Sequence, residues 1–112
     1  MTQNLFVSLT AAEAVRRVSD AIVRGSITGE LLDSHTVTAP GGGSCTVSVF
    51  EKHYYRAGNR LTLTVTVDDF TGRTRVHLVG GGGGEGLFRF DWGASQSFEQ
   101  TAYDALRPYE VR

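Results

Sequence analysis

Cysteine is almost missing from this chain: Cys45 stands alone among 112 residues. A lone cysteine closes no internal disulfide and has no companion at zinc-ligand spacing, which excludes a disulfide-stapled scaffold and a zinc ribbon. Cys45 therefore reads as a small core-facing hydrophobe, and no metal or other cofactor is expected. Lysine is equally scarce, Lys52 being the only one among the 11 basic residues, a bias that fits a bacterial genome rich in G and C. The two prolines, Pro40 and Pro108, fall in an expected loop and at an expected helix stop. Long apolar runs are missing too. None approaches the roughly 20 residues that span a bilayer, and Met1-Thr2-Gln3-Asn4 shows no basic stretch followed by an apolar one. The expectation is a cytoplasmic protein without a membrane partner. A net charge of -1 exerts no global pull toward nucleic acid or an acidic surface.

What is present points to one α+β domain spanning residues 1–112. This length holds one core and is too short for two ordinary domains. Strict alternation from Arg60 through Leu61, Thr62, Leu63, Thr64, Val65, Thr66 and Val67 to Asp68 defines a strand with one wet side. An earlier strand, Asn4 to Leu9, runs into Thr10-Ala11-Ala12-Glu13, a capping box that opens a helix. That helix carries its apolar stripe on Ala14/Val15, Val18 and Ala21/Ile22, and Gly25 stands where a left-handed terminal residue is favoured. Strands are expected from Ser26 to Val37, Cys45 to Arg56, Arg73 to Val79 and Gly86 to Trp92. A last helix starts at Ser95, presents Phe98, Ala102 and Ala105/Leu106, and stops at Pro108. The order is β-α-β-β-β-β-β-α, giving a single antiparallel sheet of about six strands with both helices on one face.

Register decides the faces, because a slip of one residue turns every side chain over. Pairing Tyr55 with Leu61, Val65 with Val76 and Val76 with Phe88 collects Val47, Val49, Tyr55, Leu61, Leu63, Val65, Val67, Val76, Leu78, Phe88, Phe90 and Trp92 under the helices. The opposite face receives Thr46, Ser48, Thr62, Thr64, Thr66, Arg75, His77 and Arg89. Under this register Glu51 and His53 sit on the apolar side, where a carboxylate and an imidazole about 7 Å apart at Cα form an acid/base pair, with Tyr55 beside them. Gly29, opposite His53, would leave room for a small ligand. The other reading is that the pair lies at the rim, satisfies itself by a hydrogen bond, or is rotated out by a bulge near Phe50.

Arg75 and Arg89 fall near-opposite on adjacent strands with His77 beside them, and repel unless an anion or a partner's carboxylate neutralises them. This is the local argument for an anion or partner site, against two arginines lying along a solvated sheet. Phe50, Tyr54 and Leu32 would form an apolar strip on the outer face suited to a homodimer. Other aromatics fall on the opposite face, which disfavours nucleic acid. His35 and Asp33 read as exposed polar decoration, and His35, His53 and His77 do not converge on a metal. The run Gly80 to Gly84 joins two strands and lacks the helix and Lys-Ser/Thr of a phosphate loop. It reads as a hairpin loop or a bulged strand that lets another backbone come close.

The element order resembles helix-grip and TATA-box-binding-protein-like domains, a topological similarity over the whole chain without a shared motif. Gly58-Asn59-Arg60, Gly80 to Gly84, and Trp92-Gly93 ahead of the Phe98 helix are similar to an uncharacterised family of small bacterial proteins, a domain of unknown function, which implies no activity. Two functions stay open. One is a non-enzymatic binding or assembly module using a sheet face or a small pocket, with a second copy or a small apolar or anionic ligand as partner. The alternative is a small lyase, isomerase or cyclase-like enzyme working through Glu51 and His53.

Overall fold

Thr10 ends the first strand and begins the first helix with one residue. Its Oγ1 accepts from the Glu13 backbone N–H at 3.1 Å, and its own N–H donates to Glu13 Oε1 at 2.9 Å, so two otherwise unpaired donors are satisfied at once. In the computed structural model, which describes residues 2–25, 28–54, 59–82 and 92–111, the strand is β1 (Thr2–Val7) and the helix α1 (Ala11–Arg24). The helix ends at Gly25 as expected, but in the right-handed region, at φ -85°. A glycine suits the place for another reason: a Cβ there would lie 2.4 Å from the Ala21 carbonyl oxygen.

The chain continues through β2 (Glu30–Thr38), β3 (Ser44–Tyr54), β4 (Asn59–Asp68) and β5 (Thr74–Gly82), then α2 (Trp92–Leu106), a 3-10 turn at Arg107–Tyr109 and β6 (Glu110–Val111). Among the described residues these strands form one antiparallel sheet in the order β2-β3-β4-β5-β1-β6. The sixth strand thus follows the last helix. The strand expected from Gly86 lies outside the described residues up to 91, and Trp92, expected at its end, opens α2 instead. Consequently Ser95 stands inside the helix and does not cap it.

Both helices pack on one side of the sheet. Ala11, Ala14, Val18 and Ile22 of α1 and Phe98, Ala102 and Leu106 of α2 close over Leu5, Val7, Phe50, Leu61, Leu63, Val65, Val67, Val76 and Leu78. Each large side chain removed from water contributes about 1.5 to 3 kcal/mol, set against the entropy of ordering the chain. The inward face of β4 and β5 is the expected one. Val65 faces Leu78 rather than Val76, an even displacement that leaves every side chain on its side.

On β3 the outcome is reversed. Lys52, not Tyr55, faces Leu61, an odd displacement, so Thr46, Ser48 and Phe50 turn toward the helices while Val47, Val49, Glu51 and His53 turn away. The physical reason is the cost of the alternative. The expected register would bury a carboxylate and an imidazole while exposing the largest apolar side chain of the strand. The observed one leaves Phe50 only 1% exposed and keeps both ionisable groups on the open side. The two hydroxyls it buries are satisfied across the β2–β3 pair: Ser48 Oγ shares a hydrogen bond with Ser34 Oγ at 3.0 Å, and Thr46 Oγ1 with Thr36 Oγ1 at 2.8 Å. Buried hydroxyls with partners are tolerated where lone ones are not.

Candidate functional site

The side of the sheet opposite the helices, called outer below, carries most of the residues singled out by the sequence. Rows run straight across it because paired residues share a face: Val37, Cys45, Asp68, Arg75 and Phe6 in one, and His35, Val47, Thr66, His77 and Asn4 in the next. Cys45 is half-buried on this side, not in the helix-covered core as expected. Val47, Val49 and Val79 are half-buried here too.

Two carboxylates of this surface, Glu51 and Asp68, are matched within the chain. Glu51 Oε1 accepts from Arg60 Nη1 at 2.9 Å. The Glu51–Arg60 contact is a surface ion pair between neighbouring strands, and no helix encloses it. His53 is half-buried and faces Arg60 in the β3–β4 ladder, while its backbone carbonyl accepts from Thr28 Oγ1 at 3.0 Å. Gly29, expected to leave space near His53, lies instead against the end of α1, where a Cβ would come 2.3 Å from the Ile22 carbonyl oxygen. Tyr55 lies outside the described residues.

Arg75 grips Asp68 on β4, its Nε 3.0 Å and its Nη2 2.8 Å from Oδ2. The counter-charge expected from an anion or a partner is therefore supplied by the chain's own carboxylate, which is almost wholly buried on this face. His77 Nδ1 is hydrogen-bonded to Asn4 Oδ1 on β1. Arg89 lies outside the described residues. Nearby, the Arg73 guanidinium sits 4.1 Å above the Phe6 ring centroid, a cation–π contact that covers the end of the face.

The apolar strip expected from Phe50, Tyr54 and Leu32 does not assemble, because Phe50 is in the core. Leu32 is the extra residue of a bulge in β2 between Leu31 and Asp33, and the side chain of Tyr54 lies outside what is described. The exposed apolar surface is found elsewhere, concentrated on β2, where Leu31, Leu32 and Val37 are 40%, 49% and 55% exposed. All nine residues of β2 are exposed, so the helix layer stops short of this edge. A groove of about 260 Å³ remains between Ala11, Ala12 and Val15 of α1 and the hydroxyls of Ser34, Thr36, Ser44 and Thr46. A second, wider pocket of about 530 Å³ opens at the end of the sheet between the β1–α1 junction and the β4–β5 turn. Neither borders Glu51 or His53.

One buried carboxylate escaped the sequence reading. Glu99 of α2 is 1% exposed, and its Oε2 accepts from the Gly80 backbone N–H at 2.9 Å. Among the described residues β1 pairs with β5 as far as Thr2 opposite Val79, and a side chain takes the Gly80 donor. The signal was available: Glu99 lies three residues before Ala102 and seven before Leu106, the spacing of the buried stripe. The glycine run serves this region structurally, with Gly80, Gly81 and Gly82 inside β5.

Among the described residues no three His, Cys, Asp or Glu side chains gather as a metal site, and no helix is long and apolar enough to cross a membrane. The chain belongs to a family of unknown function, DUF6054, whose model matches residues 4–110. No curated protein and no solved structure matches it.

Proposed function

We propose that this member of the family is a binding or assembly module that works through the part of its sheet the helices leave uncovered. The observation that carries this reading is β2: nine consecutive residues, all exposed, at the margin of a sheet whose outer face carries no helix among the described residues. Large apolar side chains left exposed on one strand, here Leu31, Leu32 and Val37, are what a protein partner buries. The outer face supports the same reading. Its ion pairs, Glu51–Arg60 and Arg75–Asp68, are satisfied before any partner arrives, so docking there does not require the desolvation of lone charges.

The enzymatic alternative, a lyase, isomerase or cyclase type reaction at Glu51 and His53, has weaker support. Both residues face away from the helix layer, and the Glu51 carboxylate is held by a guanidinium where a general base needs access to a substrate proton.

The test is site-specific photocrosslinking in cells making the full chain. A photoreactive residue replaces Val47 or Val79 on the outer face, Val37 on β2, or Arg16 on the solvent side of α1. Covalent adducts are expected from the sheet positions and none from Arg16. Adducts from no sheet position, or labelling from Arg16 as strong as from Val37, overturn the reading.

A further inference from the structure

The two edges of the sheet differ. One ends in β6, two residues long, too short to template another strand. The other ends in β2, nine residues long and paired on one side only, to β3. Among the described residues no strand lies against its other side, so a row of backbone N–H and C=O groups faces outward. Edge strands of this length are commonly guarded by lysine or proline, and β2 contains neither. Its bulge at Leu32 disturbs one end only and leaves Asp33 to Thr38 in regular register with β3.

From the residue order of this edge we infer that β2 pairs antiparallel with β2 of a second copy, about a twofold axis at Ser34, joining two sheets into one. The inference rests on the reading of the chain as an assembly module and names its partner. In that register facing residue numbers sum to 68, so Ser34 meets the partner's Ser34. Asp33 meets the partner's His35, and symmetry repeats the pair. The bulge breaks the count beyond Asp33: Leu31, opposite Phe50, is turned to the helix side, away from the face that Val37 shares with Cys45, and takes no part in the match. The regular part of the strand is therefore its own complement at the axis, acid against imidazole twice, as an isologous interface requires.

Neighbouring registers lose this match. To keep the helices of both copies on one side of the joined sheet, outward residues must face outward residues, which permits only even displacements. Centring the axis on Asp33 sets Asp33 against itself. Centring it on His35 sets His35 against itself and Asp33 against the partner's Val37. Only the Ser34 register sets Asp33 and His35 against each other. Asp33 and His35, which read as mere surface decoration from the sequence, then have a function.

The experiment is sedimentation velocity of the full chain across a concentration series, with the variants H35D and D33H and the double variant D33H/H35D. Each preserves an exposed position, and circular dichroism checks that each folds. The wild type is expected to dimerise. H35D, which sets acid against acid twice at the axis, is expected to raise the dimer Kd by about ten-fold. The double variant, which exchanges the two partners, is expected to recover most of that loss, a rescue that a general loss of stability would not produce. Independently, S34C in a C45S background is expected to form an intermolecular disulfide on mild oxidation, since residues facing each other across an antiparallel pair have Cα atoms about 4.5 to 5.5 Å apart. A chain that stays monomeric to millimolar concentration overturns the inference while leaving open a different partner for the exposed sheet. A dimer indifferent to H35D and unable to close the S34C bridge overturns it too, and moves the contact to the outer face.

Discussion

Replacing Phe50 tests the register of β3, on which the placement of Glu51 and His53 depends. Phe50 is 1% exposed on the helix side of the sheet, whereas Val49, its chain neighbour, is half-buried on the other face. Truncation of a core phenylalanine to alanine costs about 3 to 5 kcal/mol, a large share of the roughly 5 to 15 kcal/mol that holds a domain folded. Phe50→Leu is the gentler probe. It keeps an apolar side chain and costs about 1 to 1.5 kcal/mol through imperfect filling of the site. Val49→Thr keeps the shape of valine and adds a hydroxyl. On the open face that hydroxyl meets water and the change stays within about 0.5 kcal/mol; under the helices it would cost about 1 to 3 kcal/mol. The two registers therefore predict opposite orders of stability. Urea unfolding followed by circular dichroism reads the difference directly, and thermal midpoints magnify it, since about 1 kcal/mol moves the midpoint of a domain near this size by roughly 4 to 8 °C. Phe50→Leu is expected to be the damaging variant. A Val49→Thr protein less stable than Phe50→Leu would refute the register and return Glu51 and His53 to the helix side.

Two further outcomes follow from the backbone and from α1. Gly82 has φ +81°, and a Cβ there would lie 2.6 Å from the Arg60 carbonyl oxygen, so Gly82→Ala is expected to destabilise by more than about 1 kcal/mol. Gly41, outside the left-handed region and with nothing near its missing side chain, is expected to accept alanine with no loss or a gain of up to about 1 kcal/mol in the same unfolding assay. Glu13 is held below the usual carboxylate range, chiefly by its hydrogen bond from the Thr10 backbone and then by that with the Thr10 side chain. With the folded value below the unfolded one, its stabilisation is complete above the unfolded value and fades as pH falls through the folded one. Carbon-detected NMR titration should show Glu13 protonating at lower pH than in Thr10→Ala, and the stability gap between wild type and Glu13→Gln should close on acidification; a gap that widens in acid would contradict the capping assignment.

Residues that act through near neighbours were legible in the chain. Thr10 and Glu13 are three apart and meet within one helical turn, and the alternation from Arg60 to Asp68 set the inward face of β4 without any partner being known. The candidate site was less legible. Arg75 and His77 could be placed on the outer face, but the carboxylate that neutralises Arg75 comes from Asp68 on a different strand, and its identity depends on a register displaced by two residues from the expected one. The burial of Glu99 was written in its spacing from Ala102 and Leu106, yet its charge argued the other way until the Gly80 donor was seen to need an acceptor.

The sequence by itself determined the α+β class, the amphipathic α1 and the buried faces of β4 and β5, because a 3.6-residue or two-residue period needs only the local chain to be expressed. Tertiary structure alone decided which way β3 turns and how far the helix layer extends. Both alternations of β3 carry apolar residues, Val47 and Val49 on one and Phe50 on the other, so local pattern is nearly balanced. The choice falls to pairing with β4, to the cost of burying Glu51 and His53, and to the hydroxyl partners that β2 offers Thr46 and Ser48. The exposure of β2 is likewise a matter of reach: two helices cover the middle of a six-stranded sheet and leave its longer edge open.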